Sequence, residues 1–374
     1  MIYVHIPFCR SFCTYCGFYS EIAAQCSRVD FATALCKEVE LRAEEISDRV
    51  NTLYIGGGTP SVLPLSVFRS LVQALERAGH GGPYEEFTVE VNPEDVIEKG
   101  EEYIEGLLDL GVNRISMGVQ SFDDDVLRFM NRRHDAAAAR KAYGILERAG
   151  VENISIDLIF GLPQLSDAQW SETLDKALSI SAGGVLPRHI SSYQLSVEPE
   201  SALASLVERG DWAEAPEDMC RRQYEALCKA LGEAGYRHYE ISNFAQPGYE
   251  ARHNSAYWRH IPYVGLGPGA HSLSCSDYGW MRNWNNEDLH GYVTDPLSVR
   301  SGEVLTQEQV IMERIMLGLR TSEGVAESWL REHVDPHALE RALATGSLVL
   351  SSSGYLRIPE SRFFICDSII SDLV

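Results

Sequence analysis

Six short β-rich runs, each followed by a stretch of helical character, limit this chain more than any other feature. The runs are IYVHI at the start, TLYIGGG from Thr52, EFTVEVN from Glu86, RISMGVQ from Arg114, NISIDLIFGLP from Asn153 and HISSYQLSV from His189. Between them lie amphipathic segments such as FATALCKEVELRAEEI and DAAAARKAYGILERAG, the latter closing on Gly150 as a helix-terminating glycine. Strand followed by helix, six times over, predicts a parallel sheet joined by right-handed crossovers. A barrel, a partial barrel and an open doubly wound sheet all satisfy that pattern. Polar residues inside the strands separate them. Glu90, Gln120 and Asp157 interrupt apolar runs near their C-terminal ends, where an unpartnered polar group is costly unless a ligand or partner satisfies it. A three-cysteine loop follows the first run and GGGTPS follows the second. Chemistry converging from many strand ends describes the active face of a β/α barrel, whereas an open sheet gathers its ligands at one switch point. The expected fold class is therefore α/β, barrel-like.

Beyond residue 197 the pattern changes. A helical stretch, EDMCRRQYEALCKALGEAGY, leads into a loop- and aromatic-rich region over 236–300. From 304 a helix, two shorter helical pieces, a turn at SSSGYL and a last apolar segment predict a small domain of winged-helix-like order. The expected division is a core over 1–200, an extension over 201–303 and a C-terminal domain over 304–374. DNA binding is a poor match for that last domain, which has six arginines and no lysine against ten acids. The whole chain carries a formal charge of −22, and polyanion binders draw most of their affinity from basic residues. Nucleic acid and anionic membrane surfaces are thereby disfavoured as partners. No apolar run approaches the roughly 20 residues of a membrane span, and MIYVHIPF has no basic leader-like start. Nine cysteines form no even disulfide framework, so a reducing cytoplasm is expected. Six of them, Cys26, Cys36, Cys220, Cys228, Cys275 and Cys366, read mostly as small core residues on helix faces.

The other three are different. Cys9, Cys13 and Cys16 share one loop with spacings of four and three. Three thiolates are one short of a closed structural zinc site or a ferredoxin cluster. His5 could complete a zinc site; alternatively, three irons of a cubane take the three sulfurs and the fourth iron stays open.

Cys-x3-Cys-x2-Cys after a first strand, with Tyr15 before the last cysteine, resembles the radical S-adenosylmethionine (SAM) superfamily. HIPFC, GGGTPS, VEVNPE, RISMGVQSF, MNRRH, DLIFGLP and YVGLGPGAHS further resemble the oxygen-independent coproporphyrinogen III oxidase group and its haem chaperone branch. The resemblance runs from Tyr3 to about Ser272. It implies a partial (β/α)6 barrel with a C-terminal winged-helix-like α+β domain, a [4Fe–4S] cluster on Cys9, Cys13 and Cys16, and SAM at the open iron. It further implies SAM contacts from Tyr3, Gly57, Gly58, Thr59, Glu90, Gln120, Arg132 and Asp157. RHNSAYW matches an HNxxYW motif associated with haem in that branch, implying His253, Asn254, Tyr257 and Trp258 as haem contacts. Phe18 stands where the oxidase has a further cysteine, and only two residues precede Tyr3 where the oxidase carries a longer segment. Both departures put the oxidase's propionate decarboxylation in doubt, and the RHNSAYW match points to a haem carrier serving apo-haemoproteins, such as those of the respiratory chain, with His260 or His271 as other candidate iron ligands. The oxidase reaction, coproporphyrinogen III to protoporphyrinogen IX, is the alternative.

Overall fold

A computed structural model of the chain describes residues 1–22, 25–46, 51–184 and 186–374, without the side chains of 25–27. The six expected strands form, as β1 Ile2–Ile6, β2 Thr52–Gly57, β3 Glu86–Val91, β4 Arg114–Gln120, β5 Ile154–Phe160 and β6 His189–Gln194. They pair in parallel and in chain order. The six strands thus form one continuous parallel run in the sheet, with no reversal of order that would make a switch point.

The loop-rich region supplies three more strands to this sheet, which the sequence pattern did not predict. The antiparallel pair β7 Arg237–Glu240 and β8 Asn243–Ala245 extends it beyond β6, and β9 Val264–Leu266 runs parallel to β1 on the other side. All three are only three or four residues long, too short for a readable alternation. β7 and β9 are the two edges of this nine-stranded sheet and do not pair with each other.

Local sequence explains the helices. Asp135 accepts from the Ala138 amide to start the helix Ala136–Arg148, and Gly150 ends it with φ +89°. Ser166 and Gln169 form a reciprocal capping box at Asp167–Leu178, as do Thr306 and Gln309 at Gln307–Leu319. The last segment runs helix, strand, helix, helix, strand, strand and then a closing helix, Cys366–Ser371, with a small antiparallel sheet of Val325–Ala326, Tyr355–Arg357 and Val349–Leu350. That is the winged-helix-like order. Among the described residues, no helix is long and apolar enough to cross a membrane.

The barrel strands alternate sharply. On β4, Ile115, Met117 and Val119 pack outward into the core beneath the helices, while Arg114, Ser116, Gly118 and Gln120 line an interior cavity. On β5, Ile156 and Leu158 face the core and Asp157 and Ile159 the cavity. A parallel sheet covered on both faces reads as continuous apolar runs; here the lumen replaces one apolar face with a largely polar one. Of the cysteines expected in the core, Cys220 and Cys366 are buried and Cys36 and Cys228 half-buried. Cys275 is exposed instead, on the strand His271–Ser276 next to its hairpin turn. The side chain of Cys26 lies outside the described residues.

Candidate functional site

The lumen encloses about 1010 Å³ and runs from the cysteine loop at the C-terminal ends of the strands down to their N-terminal ends. Cys9, Cys13 and Cys16 form part of its wall, all half-buried. Backbone bonds pin the loop from both sides: Cys9 N donates to Glu21 O at 3.0 Å, and Thr14 N to Met130 O at 3.1 Å. Burial, aided by neighbouring thiols, pushes the Cys16 thiol up to about 11 and raises that of Cys9. Such thiols stay protonated until a metal displaces the proton. Among the described residues no three His, Cys, Asp or Glu side chains stand in single-ion geometry. A cubane spreads its ligands over separate irons, and three sulfurs along one wall are the set it takes. His5, the expected fourth zinc ligand, is already engaged. Its buried ring donates from Nε2 to Tyr19 O (2.9 Å) and accepts at Nδ1 from Tyr3 OH (3.0 Å), a single neutral tautomer.

The glycine motif fits this loop as tightly as it could fit a ligand. Gly58 N donates to Ile6 O at 2.8 Å and Thr59 N to Phe8 O at 2.8 Å. Gly57 has φ +105°, and a Cβ there would meet the His5 ring at 2.6 Å. Gly57, Gly58 and Thr59 all reach the cavity.

Glu90 accepts from Tyr54 OH at 2.5 Å and Gly57 N at 3.2 Å. Burial outweighs those bonds and pushes its carboxyl up to about 7. Asp157 accepts from Ser116 Oγ at 3.2 Å and is raised for the same reason. Gln120 has φ +66° beside an irregularity in the β4–β5 ladder, a local kink that aims it inward. Arg132 is committed: its Nη2 donates to Asn92 Oδ1 (2.8 Å) and Gly118 O (2.7 Å), and Nη1 stands 3.5 Å from Cys13 Sγ. It is therefore a cation against the cysteine loop.

Four expected residues do not line the cavity: Tyr3, His253, Tyr257 and Trp258. Tyr3 lies behind Tyr54 and supports His5. His253 is 1% exposed, with Nδ1 bonded to Thr52 Oγ1 (2.8 Å) and Nε2 to Tyr257 OH (3.0 Å). Burial pushes it down to about 3. Iron ligation by His253 would require both bonds to break. Trp258 is half-buried at the end of the same helix, Arg252–Trp258, and only Asn254 of the four motif residues reaches the cavity. Conversely, Asn92, Arg114, Ser116, Ser191 and Tyr193 line it although their sequence context does not mark them. The usable signal is strand parity: each shares a face with Glu90, Gln120 or Asp157, or follows directly after the strand.

The Radical SAM superfamily model matches residues 3–177 of this chain. The chain is 33% identical over 340 residues to "Heme chaperone HemW" of Synechocystis, covering 86% of this chain and 78% of that one. It is 36% identical over 325 residues to the protein of the same name from Lactococcus lactis, covering 86% and 82%. Among solved structures, coproporphyrinogen III oxidase (HemN) from Escherichia coli, described as a radical SAM enzyme, superposes with a TM-score of 0.80 at 22% identity, over 99% of this chain and 89% of that one. At that identity the likeness concerns the fold.

Proposed function

The chain belongs to the haem chaperone HemW family within the radical SAM superfamily, and from that premise we propose that it is a cytoplasmic haem carrier that loads haem for delivery to apo-haemoproteins. The family brings with it a [4Fe–4S] cluster and SAM. Cys9, Cys13 and Cys16 are the proposed ligands of the cluster, which would supply the reducing electron when bound. Gly57, Gly58 and Thr59 offer backbone to the SAM amino group, and Glu90, Gln120 and Asp157 offer acceptors to its ammonium and ribose hydroxyls. Arg132 balances the thiolate charge and holds Asn92 against Thr59, whose Oγ1 is 3.2 Å from Asn92 Nδ2. Tyr3 acts one layer back, through His5.

One observation carries the reading: a single cavity of about 1010 Å³ joins the cysteine loop to Asn254 of the HNxxYW motif. That volume is at the top of the usual range for small-molecule sites, enough for a cargo beyond SAM. In this arrangement Asn254 meets the cargo while His253, Tyr257 and Trp258 hold the helix that presents it. Phe18, 73% exposed at the cavity mouth, gives the entrance an apolar side.

Anaerobic reconstitution tests the proposal. The wild type should hold about four irons per chain, and alanine at Cys9, Cys13 and Cys16 should abolish this. Haem titration should give a saturable Soret change, with no turnover of coproporphyrinogen. SAM-dependent formation of protoporphyrinogen, or no saturable haem binding, would overturn it in favour of the oxidase or of neither.

A further inference from the structure

Arg114 is the first residue of β4, six residues below Gln120, which places it about 20 Å deeper in the lumen at strand spacing. Only 2% exposed, it nevertheless lines the cavity. Its Nε has no hydrogen-bond partner, and among the described residues it forms no ion pair. The two carboxylates of the same lumen bond elsewhere, Glu90 to Tyr54 and Gly57 and Asp157 to Ser116, although both lie close enough for the Arg114 charge to favour their ionised forms. A buried guanidinium without a contact partner is costly, and such a charge is normally paired. Its planar donor fork matches a carboxylate. Arg114 is also close enough to His253 to lower that ring's affinity for a proton, so it sits near the helix that carries Asn254.

We propose that Arg114 is a carboxylate-binding subsite in the wall of the cavity, and that a haem propionate is its ligand. This rests on the haem-carrier reading. The carboxylate of SAM has the same chemistry, and separate titrations distinguish the two.

Haem, haem dimethyl ester and SAM are titrated separately into the anaerobically reconstituted wild type and into Arg114→Met and Arg114→Lys. Haem affinity should fall at least about tenfold in Arg114→Met, the size of one lost charge-assisted bond, and partly recover in Arg114→Lys. The ester should bind wild type and variants alike, and SAM affinity should not move. If SAM weakens and haem does not, the subsite exists but serves SAM. Equal losses for haem and its ester would reduce Arg114 to packing and overturn the subsite, as would unchanged binding of all three. Equal wild-type affinity for the acid and the ester would overturn it without any variant. Wild type that binds no haem defeats the carrier reading, and the SAM arm still decides the role of Arg114.

Discussion

Glu90 shows what the lumen does to a single residue. In an exposed strand this carboxyl would ionise near pH 4.5; in the cavity wall burial pushes it up to about 7 despite bonds from Tyr54 and Gly57. Because the folded value exceeds the unfolded one, the protonated form favours folding. Stability from this group is therefore complete below about pH 4.5 and is lost as pH rises through about 7. Glu90→Gln should stabilise the chain at pH 8 by up to about 3 kcal/mol, less whatever cavity water screens, with the gain vanishing near pH 4. Thermal melts across that range test it; a pH-independent difference would contradict the assignment. Glu90 and Asp157 were legible because a carboxylate amid Val and Ile stands out. Arg114 was not, since a charged residue at a strand's first position looks like an ordinary boundary.

At the scale of an element, the seven-residue helix Arg252–Trp258 is too short to be stable alone. Buried Glu86 on β3 accepts from its first amides, Arg252 N at 2.8 Å and His253 N at 3.0 Å, placing a carboxylate at the positive end of the helix. His253 then locks it to Thr52 and Tyr257. Replacing His253 with alanine should cost about 2–4 kcal/mol in urea unfolding, from the cavity and two orphaned hydroxyls. The ring is held neutral well below its unfolded value of 6.5, so stability should fall as pH drops from about 6.5 toward 3. His253→Gln should flatten that acid limb. An unaltered limb would mean that His253 does not carry it. The motif was visible in sequence as a histidine among aromatics; that its histidine points into packing rather than the lumen depends on Thr52, 201 residues earlier.

For the whole molecule, a buried polar knot ties the sheet edge to the segment beyond it. Glu38, fully buried, accepts from Arg42 Nη1 (2.7 Å), Asn285 Nδ2 (2.8 Å), Tyr292 OH (2.7 Å) and Gly267 N (2.8 Å). Arg42 also donates to Gly265 O at 2.6 Å and Ser272 Oγ at 3.1 Å. One ion pair thus fastens β9 and the following hairpin to the first helix, Gln25–Leu41. Glu38→Ala leaves the Asn285, Tyr292 and Gly267 donors without their acceptor and Arg42 with Glu45 as its remaining carboxylate, and should destabilise by about 3 kcal/mol in denaturant unfolding. Glu38→Ala with Arg42→Met together should cost clearly less than the sum. Additive losses would show the two to be independent.

The order of strands, the cysteine loop and the inward carboxylates were written in local pattern, because alternation and spacing act over a few residues. Three short strands, the engagement of His5 and His253 and the isolation of Arg114 were decided only in the folded chain. Each depends on which distant backbone or hydroxyl arrives to satisfy a buried polar group, and no local spacing encodes that arrival.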